Sequence, residues 1–406
     1  MKIARKWKMT VKTLSKEDLW SSVLGGAALA TGGGGAAPSY EAFIKEVDPI
    51  FKAGFKPRLI DPADLPDVGP VLVPIGIGGG ITREDQERYG PPIRSGPYMP
   101  IAYDEMNRVF PLLEGVESPG DDWRSAAIGR LKEIKGEKKY VAHFAGEIGP
   151  GIYRQALSGA REGVPVVDAD MAGQRAVPEL CFTSFNVKNI PATPVVIATV
   201  WGDVLVFERS LSWQRLEDVS RAIALVSGGF NSTVMSVNGA VVRESAVHGS
   251  YSKAIEVGKA IQRAKESGDD PIDGIVKATR GYKIFEGEIV ARTTEGKFAF
   301  IWGNGWIGGT GDFEGKLFRL WYKNENQISW LNGEPYVTCP DPFTVIDAET
   351  GEGLSNFRAD AWTPGRRVAV VGVKAVEVWR TERGLKIYNP RHFGFDIEYR
   401  PIEEVV

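Results

Sequence analysis

Four consecutive glycines, Gly32 to Gly35, lie within the run Thr31-Gly32-Gly33-Gly34-Gly35-Ala36-Ala37-Pro38. Side chains would forbid many of the conformations such a run can adopt, so it offers bare backbone N–H groups for close approach by something else. Just upstream, Ser15-Lys16-Glu17-Asp18 has the form of a capping box, and Leu19, Trp20, Val23 and Leu24 follow at helical spacing. The glycines therefore close a helix inside a fold. Two readings stay open: a helix C-cap followed by a turn, or a cradle for a ligand. The run matches neither the dinucleotide fingerprint nor a P-loop, which ends in Gly-Lys-Ser/Thr, so no nucleotide is expected.

The 406 residues leave room for two or three domains, and 43% hydrophobic with 25% charged residues is an ordinary globular balance. Lys and Arg (49) nearly offset Asp and Glu (52), for a net charge of −3, and no basic stretch follows the first eight residues. Nucleic acid and anionic membrane surfaces are thereby disfavoured as partners, and a small neutral or acidic molecule is favoured. Cys181 and Cys339 are the only cysteines, which excludes a disulfide framework or a CxxC metal site and suits a reducing cytoplasm. Lys2, Arg5, Lys6 and Lys8 precede the apolar Val23 to Ala30, but Lys16, Glu17 and Asp18 interrupt any secretory signal. No apolar run approaches the roughly 20 residues that span a bilayer.

From residue 1 to about 190, helical and strand patterns alternate, predicting an α/β domain with a largely parallel sheet. Val71 to Ile75 reads as a buried strand leading into Gly76-Ile77-Gly78-Gly79-Gly80, a charged stretch from Thr82 to Arg88 and then Gly90-Pro91-Pro92. The clearest unit runs from Tyr140 to Val167: strand to Ala145, loop Gly146 to Gly151, helix Ile152 to Arg161, strand Val164 to Val167, a β-α-β crossover. Residues 191–280 read as a hairpin, Val195 to Ala198 against Val204 to Phe207, then helices over about Ser212 to Val226 and Ser252 to Lys265. From 281 to 406 short apolar runs alternate with turn pairs such as Asn332-Gly333, predicting a β-rich sandwich or barrel.

Ligands of a parallel sheet bind beyond the carboxyl ends of its strands. The crossover puts Glu147 at one such end and Asp168 and Asp170 at the next, so three carboxylates are expected along one crevice. Like charges that close call for a cation or a shared proton, hence a metal or a general acid/base of raised pKa. Against this stands a bland reading, in which Asp168 and Asp170 cap turns and Glu147 is solvated. Arg175 could clamp a substrate carboxylate and Glu179 could be a further acid or ligand, although each alone is more often a surface ion-pair member. Of the three histidines, His248 precedes a helix with Ser252 as its expected N-cap, His143 shares a strand with the approach to Glu147, and His392 is expected to pack in the β-rich part. Cys181 reads as a small buried hydrophobe. Asn324 and Glu325 follow Trp321-Tyr322-Lys323 and could reach toward a ligand.

The run Thr31 to Gly35, Gly146-Glu147-Ile148-Gly149-Pro150-Gly151, Val166-Val167-Asp168-Ala169-Asp170-Met171-Ala172-Gly173, Pro178-Glu179-Leu180, Asn324-Glu325-Asn326 and Pro340-Asp341 occur in this order. In this the chain resembles the S-methyl thiohydantoin desulfurase-like family over nearly its full length. Two departures stand out: Ala36 where the family usually has an acidic residue, and Gln174 displacing the family's usual Gly-Met-Gly-Arg pattern. The resemblance implies an N-terminal α/β part, a C-terminal part that continues into β structure, and association with hydantoinase or oxoprolinase proteins.

The function so implied is a hydrolase acting on a five-membered cyclic amide of hydantoin or S-methyl thiohydantoin type, releasing a thiol or opening the ring. Under that reading Glu147 or Asp168 serves as base, Glu179 as proton donor, and Thr31, Gly32, Gly33, Gly34, Gly35, Arg175, Asn324 and Glu325 bind substrate. Asp168, Asp170 and His248 are the expected ligands of a divalent metal such as zinc. The competing reading is a non-catalytic subunit of a hydantoinase-like partner, using aromatics such as Trp302, Trp306, Trp321 and Trp330. A homo-oligomer is expected.

Overall fold

The structure is a computed structural model in which residues 11–89 and 123–406 are described. The basic N-terminal stretch and Gly90-Pro91-Pro92 lie outside the described residues.

The capping box forms as written: Asp18 N donates to Ser15 Oγ at 3.0 Å and Ser15 N to Asp18 Oδ2 at 3.2 Å, starting the helix Lys16–Leu29. This helix is buried on nearly every side. It lies along the helix Ser250–Ser267 so closely that a Cβ on Gly25 would come 1.8 Å from Ala254 O, and one on Gly258 1.8 Å from Ser21 O. Only glycine permits that backbone contact. The second helix begins two residues before the expected Ser252, at Ser250, with Gly249 as its cap.

One eight-stranded sheet runs β1-β2-β5-β4-β3-β9-β7-β8, with β1 Val11–Thr13, β2 Arg58–Ile60, β3 Pro70–Gly78, β4 Ala142–His143, β5 Val166–Val167, β7 Val195–Thr199, β8 Val204–Phe207 and β9 Phe230–Asn238. Its four central strands, β2, β5, β4 and β3, are parallel, and the crossover helix Tyr153–Glu162 joins β4 to β5. The expectation of a largely parallel sheet holds only for this centre. The expected hairpin β7–β8 adds through β9 to the β3 edge in antiparallel fashion, making the sheet mixed. Tight links of a few residues between β7 and β8 permit only antiparallel pairing, whereas the crossover has a helix's length in which to return. A small separate ladder pairs β6 (Ala169–Asp170) with β10 (Val247–His248).

The C-terminal part is a single antiparallel sheet, β15-β14-β13-β12-β11-β17-β16, curled into a half-barrel, neither a two-sheet sandwich nor a closed barrel. Its strands are β11 Tyr282–Lys297, β12 Phe300–Gly309, β13 Leu317–Lys323, β14 Glu325–Leu331, β15 Glu334–Thr338, β16 Phe343–Asp347 and β17 Arg367–Gly372. The long β11 pairs with β17 along its first half and with β12 along its second, and bulges at Lys283/Phe285 and Ile289/Ala291 bend it between them. Bulges increase local twist, so one strand turns the corner that two sheets would otherwise share.

The two parts share apolar cores. Leu19, Val23, Tyr153 and Tyr251 pack with Ile346, Ala369 and Val371 of the C-terminal sheet, and Val71, Phe144 and Phe182 pack with Ala299, Cys339, Trp379 and Tyr388. Buried Arg221 ties the same seam: it pairs with Glu217 at 2.8 Å and donates to Gly78 O, Ala299 O and Pro178 O. No helix among the described residues is long and apolar enough to cross a membrane.

Candidate functional site

The glycine run does hold something close, and what it holds is the protein itself. Thr31, Gly32, Gly34 and Gly35 all adopt positive φ. Asn326 N donates to Thr31 O and Asn356 N to Gly32 O, both at 2.7 Å, while Gly33 N turns back to Ala30 O. The place where Gly33 would carry a Cβ is filled by the Glu325 carboxylate, whose Oε1 would lie 1.7 Å from that carbon. Gly34 N donates to the same oxygen at 3.1 Å.

Glu325 opens β14 just after Asn324, whose φ of 56° makes the tight turn from β13. The carboxylate is buried, and its second oxygen, Oε2, has no hydrogen-bond partner. Burial pushes its pKa well above the usual carboxylate range, and the neighbouring Glu147 charge pushes it further. Both effects favour the protonated form of the carboxyl.

Glu147 reaches the same place from the loop after β4, at the carboxyl ends of the parallel strands. It is half-buried, and Val177 N donates to its Oε2 at 3.0 Å. Burial raises its pKa to about 7; the Val177 bond, Arg221 and Arg175 oppose the shift and the Asp170 charge adds to it. Arg175 is fully enclosed beside this pair, donating to Ala176 O, Pro340 O and Thr31 Oγ1 and lying over the Tyr388 ring at 5.1 Å. Among the described residues no carboxylate comes within ion-pair distance of it. The charge that offsets buried Arg175 is therefore that of nearby Glu147, which Arg175 attracts electrostatically.

The structure thus gathers Thr31, Gly33, Gly34, Glu147, Arg175 and Glu325. Asn324 holds the hairpin turn, donating to Gly78 O and accepting from Ile301 N.

The other expected residues are engaged elsewhere. Asp168 accepts from Ser252 N and Oγ and so caps the first turn of the helix Ser250–Ser267. Asp170 is enclosed and accepts from Ala172 N, Gly173 N, Gln174 N and Ser250 Oγ. Burial lifts its pKa to about 7 against the pull of those four donors. His248 is exposed, with Nε2 at 2.8 Å from Arg243 O. The ligand atoms of Asp168, Asp170 and His248 do not gather into one coordinating group among the described residues. His143 faces away from Glu147, toward Glu162 at 3.3 Å.

Glu179 sits in a second polar cluster that was hard to see in the sequence. Lys323 pairs with its Oε1, His392 Nε2 lies 3.2 Å from Oε1 and 3.3 Å from Oε2, Cys181 Sγ lies 3.7 Å from Oε2, and Gln214 Nε2 donates to Oε2 at 3.3 Å. Burial acts to raise the Glu179 pKa, but His392 and Lys323 outweigh it and hold the group at about 2. His392 lies far along the chain from Glu179, and no local spacing announces the meeting. The faint signal was Glu179-Leu180-Cys181 itself, two ligand-type side chains one residue apart.

Family models match the chain from residue 112 onward, a span that holds the carboxylates of both clusters but not the glycine run. The S-Me-THD-like N-terminal domain matches residues 112–209 and the S-Me-THD-like C-terminal domain matches residues 211–402. The chain belongs to the S-Me-THD-like family. Glu147, Arg175 and Glu179 fall in the first matched segment and Lys323, Glu325 and His392 in the second, while Thr31, Gly33 and Gly34 lie ahead of both. An X-ray structure of a protein from Chromobacterium violaceum has the same fold, with a TM-score of 0.65 and 20% identity over 96% of this chain and 100% of that one. No curated protein matches the chain.

Proposed function

We propose that this S-Me-THD-like protein is a hydrolase of small five-membered cyclic amides of the hydantoin or S-methyl thiohydantoin type, with Glu147 as its general base and acid. The supporting observation is the Glu147–Glu325 pair. One carboxyl is half-buried with a pKa near 7, and the other is enclosed against a glycine backbone with its pKa pushed well above the usual carboxylate range. A base poised near neutrality takes up and returns a proton at working pH.

In the reaction on a methylthio-substituted ring carbon, water adds its oxygen to the carbon as Glu147 takes one proton. The electron pair that the addition placed on the ring nitrogen re-forms the carbon–nitrogen double bond as the carbon–sulfur bond breaks. Glu147 returns its proton to the departing thiolate, and the proton left on the added oxygen passes to the ring nitrogen. The products are the ring carbonyl compound and methanethiol. Glu325 is a positioning residue, a neutral donor fixed by Gly34 N, and Arg175 balances the Glu147 charge without touching the reacting molecule.

The test is thiol and ring-opened product release from a panel of hydantoins, thiohydantoins and S-methyl thiohydantoins, wild type against Glu147→Gln. Turnover in the wild type that the variant loses supports the reading. Turnover equal in both moves the base elsewhere. Silence across the panel favours the alternative, a non-catalytic subunit of a hydantoinase-like enzyme, to which the half-buried Trp302, Trp306, Trp321 and Trp330 could contribute a docking face.

A further inference from the structure

We propose that Glu179, Cys181 and His392 form a binding site for a borderline-soft divalent cation, Zn²⁺ foremost, held through Glu179 Oε2, Cys181 Sγ and His392 Nε2 with its fourth position toward solvent. The proposal does not depend on the catalytic role of Glu147.

The three ligand atoms lie within 4.8 Å of one another. For a tetrahedral zinc with usual bond lengths, the oxygen–sulfur edge is about 3.5 Å and the oxygen–nitrogen edge about 3.4 Å. The observed separations, 3.7 Å from Oε2 to Sγ and 3.3 Å from Oε2 to Nε2, are close to those edges. Two of the three edges are therefore already close to those a metal would impose, and Sγ and Nε2 lie within 4.8 Å of each other. The mixture of carboxylate, thiolate and imidazole is a donor set that suits zinc and disfavours calcium or magnesium.

The surrounding protein holds these groups in place. Arg221 holds the Pro178 carbonyl at 2.9 Å, Glu217 accepts Leu180 N at 2.8 Å, and Asn186 donates to Cys181 O at 2.8 Å, so the 178–181 strap is pinned on both sides. The His392 ring is wedged edge-on against Phe182 and Phe393, with centroids 4.7 and 5.1 Å away. Glu179 and Cys181 are enclosed, while the His392 side chain is 24% exposed and marks the way in.

Besides the two other ligands, two groups already touch the Glu179 carboxylate. Lys323 takes Oε1, leaving Oε2 to face the thiol, and its ammonium, resting over the Phe300 and Trp302 rings, stays close enough to repel a cation. Gln214 donates to Oε2 and would orient that oxygen, as partners behind metal ligands commonly do. Binding converts the Cys181 thiol to thiolate and releases its proton to solvent.

The experiment is titration of the purified full chain, first stripped with chelator, with Zn²⁺ by calorimetry and with Co²⁺ by absorption. The expected result is one ion per chain, with a sulfur-to-cobalt charge-transfer band that Cys181→Ser removes. His392→Gln should weaken binding by about 10-fold or more, and Lys323→Met should tighten it by about 10-fold. His248→Ala should bind as wild type does. Absence of binding in the wild type, or binding that Cys181→Ser and His392→Gln leave unchanged, overturns the assignment. Circular dichroism of each variant separates a lost site from a lost fold.

Discussion

The Glu325 carboxylate accepts the Gly34 N–H at 3.1 Å from within the space that a side chain on Gly33 would need. Two segments far apart in the chain are thereby interlocked, a glycine loop after the first helix and the first residue of β14. The glycine run and the acidic group are one feature. The loop is bare so that a buried carboxyl can sit against it beside Glu147.

Gly33→Ala tests that interlock. Its Cβ would displace Glu325 from an enclosed position, so turnover is expected to fall about 100-fold, as misplacement by an ångström in an active site commonly does. Gly35→Ala, with nothing within 4 Å of its Cβ, is expected to cost only the strain of its positive φ and to keep most of the turnover. Equal activity in the two variants would detach the glycine loop from the chemistry.

Glu147 and Glu325 should respond differently to the same change. Glutamine mimics a protonated carboxyl, so Glu325→Gln is expected to keep turnover within a few-fold of wild type. Glu147→Gln removes the base and should lower kcat by about 100-fold or more. Steady-state kinetics of both variants on the best substrate decides this, and a severe loss in Glu325→Gln would show that its carboxylate form is needed.

The pH profile follows from the direction of the Glu147 shift. Its pKa is raised to about 7, and a base works only when ionised, so kcat/KM should fall as the pH drops through about 7. An unperturbed glutamate would keep full activity down to about pH 5. An acid limb near the ordinary glutamate value would rule Glu147 out as the titrating base.

Stability rests on the contact between the helices Lys16–Leu29 and Ser250–Ser267. Gly258→Ala drives its Cβ into the Ser21 carbonyl, and Gly25→Ala drives its own into Ala254 O. In both cases the obstacle is backbone, which cannot swing aside, so each is expected to cost about 3 kcal/mol, the upper range of overpacking. Denaturant unfolding measures this, with Gly129→Ala, where a Cβ meets nothing within 4 Å and the backbone is helical, as the comparison.

Cutting the seam clamp is expected to cost a similar amount. Arg221→Met leaves buried Glu217 without its ion-pair partner and frees the carbonyls of Gly78, Pro178 and Ala299, a loss of about 3 to 5 kcal/mol. Because the clamp holds both halves of the seam, a single cooperative unfolding transition at lower denaturant is expected. An unchanged midpoint would show that the seam is held by its apolar contacts alone.

Local patterns in the sequence carried what is local in the fold. Ser15 to Asp18 announced a capped helix, the Tyr140 to Val167 stretch announced the crossover, and the turn pairs beyond residue 281 announced antiparallel strands. Capping, periodicity and turn chemistry act over a few residues, so a few residues reveal them. Strand direction across the sheet was not local, since β9 decides it by pairing with both β3 and β7. Nor was the role of Asp168 and Asp170 visible: a carboxylate at a strand end reads alike whether it faces a crevice or caps Ser252 and the Gln174 loop. Only the tertiary structure brought Glu325 to Glu147, and His392 to Glu179 and Cys181. Those meetings depend on how the curled C-terminal sheet closes over the N-terminal one, a packing of distant surfaces that leaves no periodic mark in the chain.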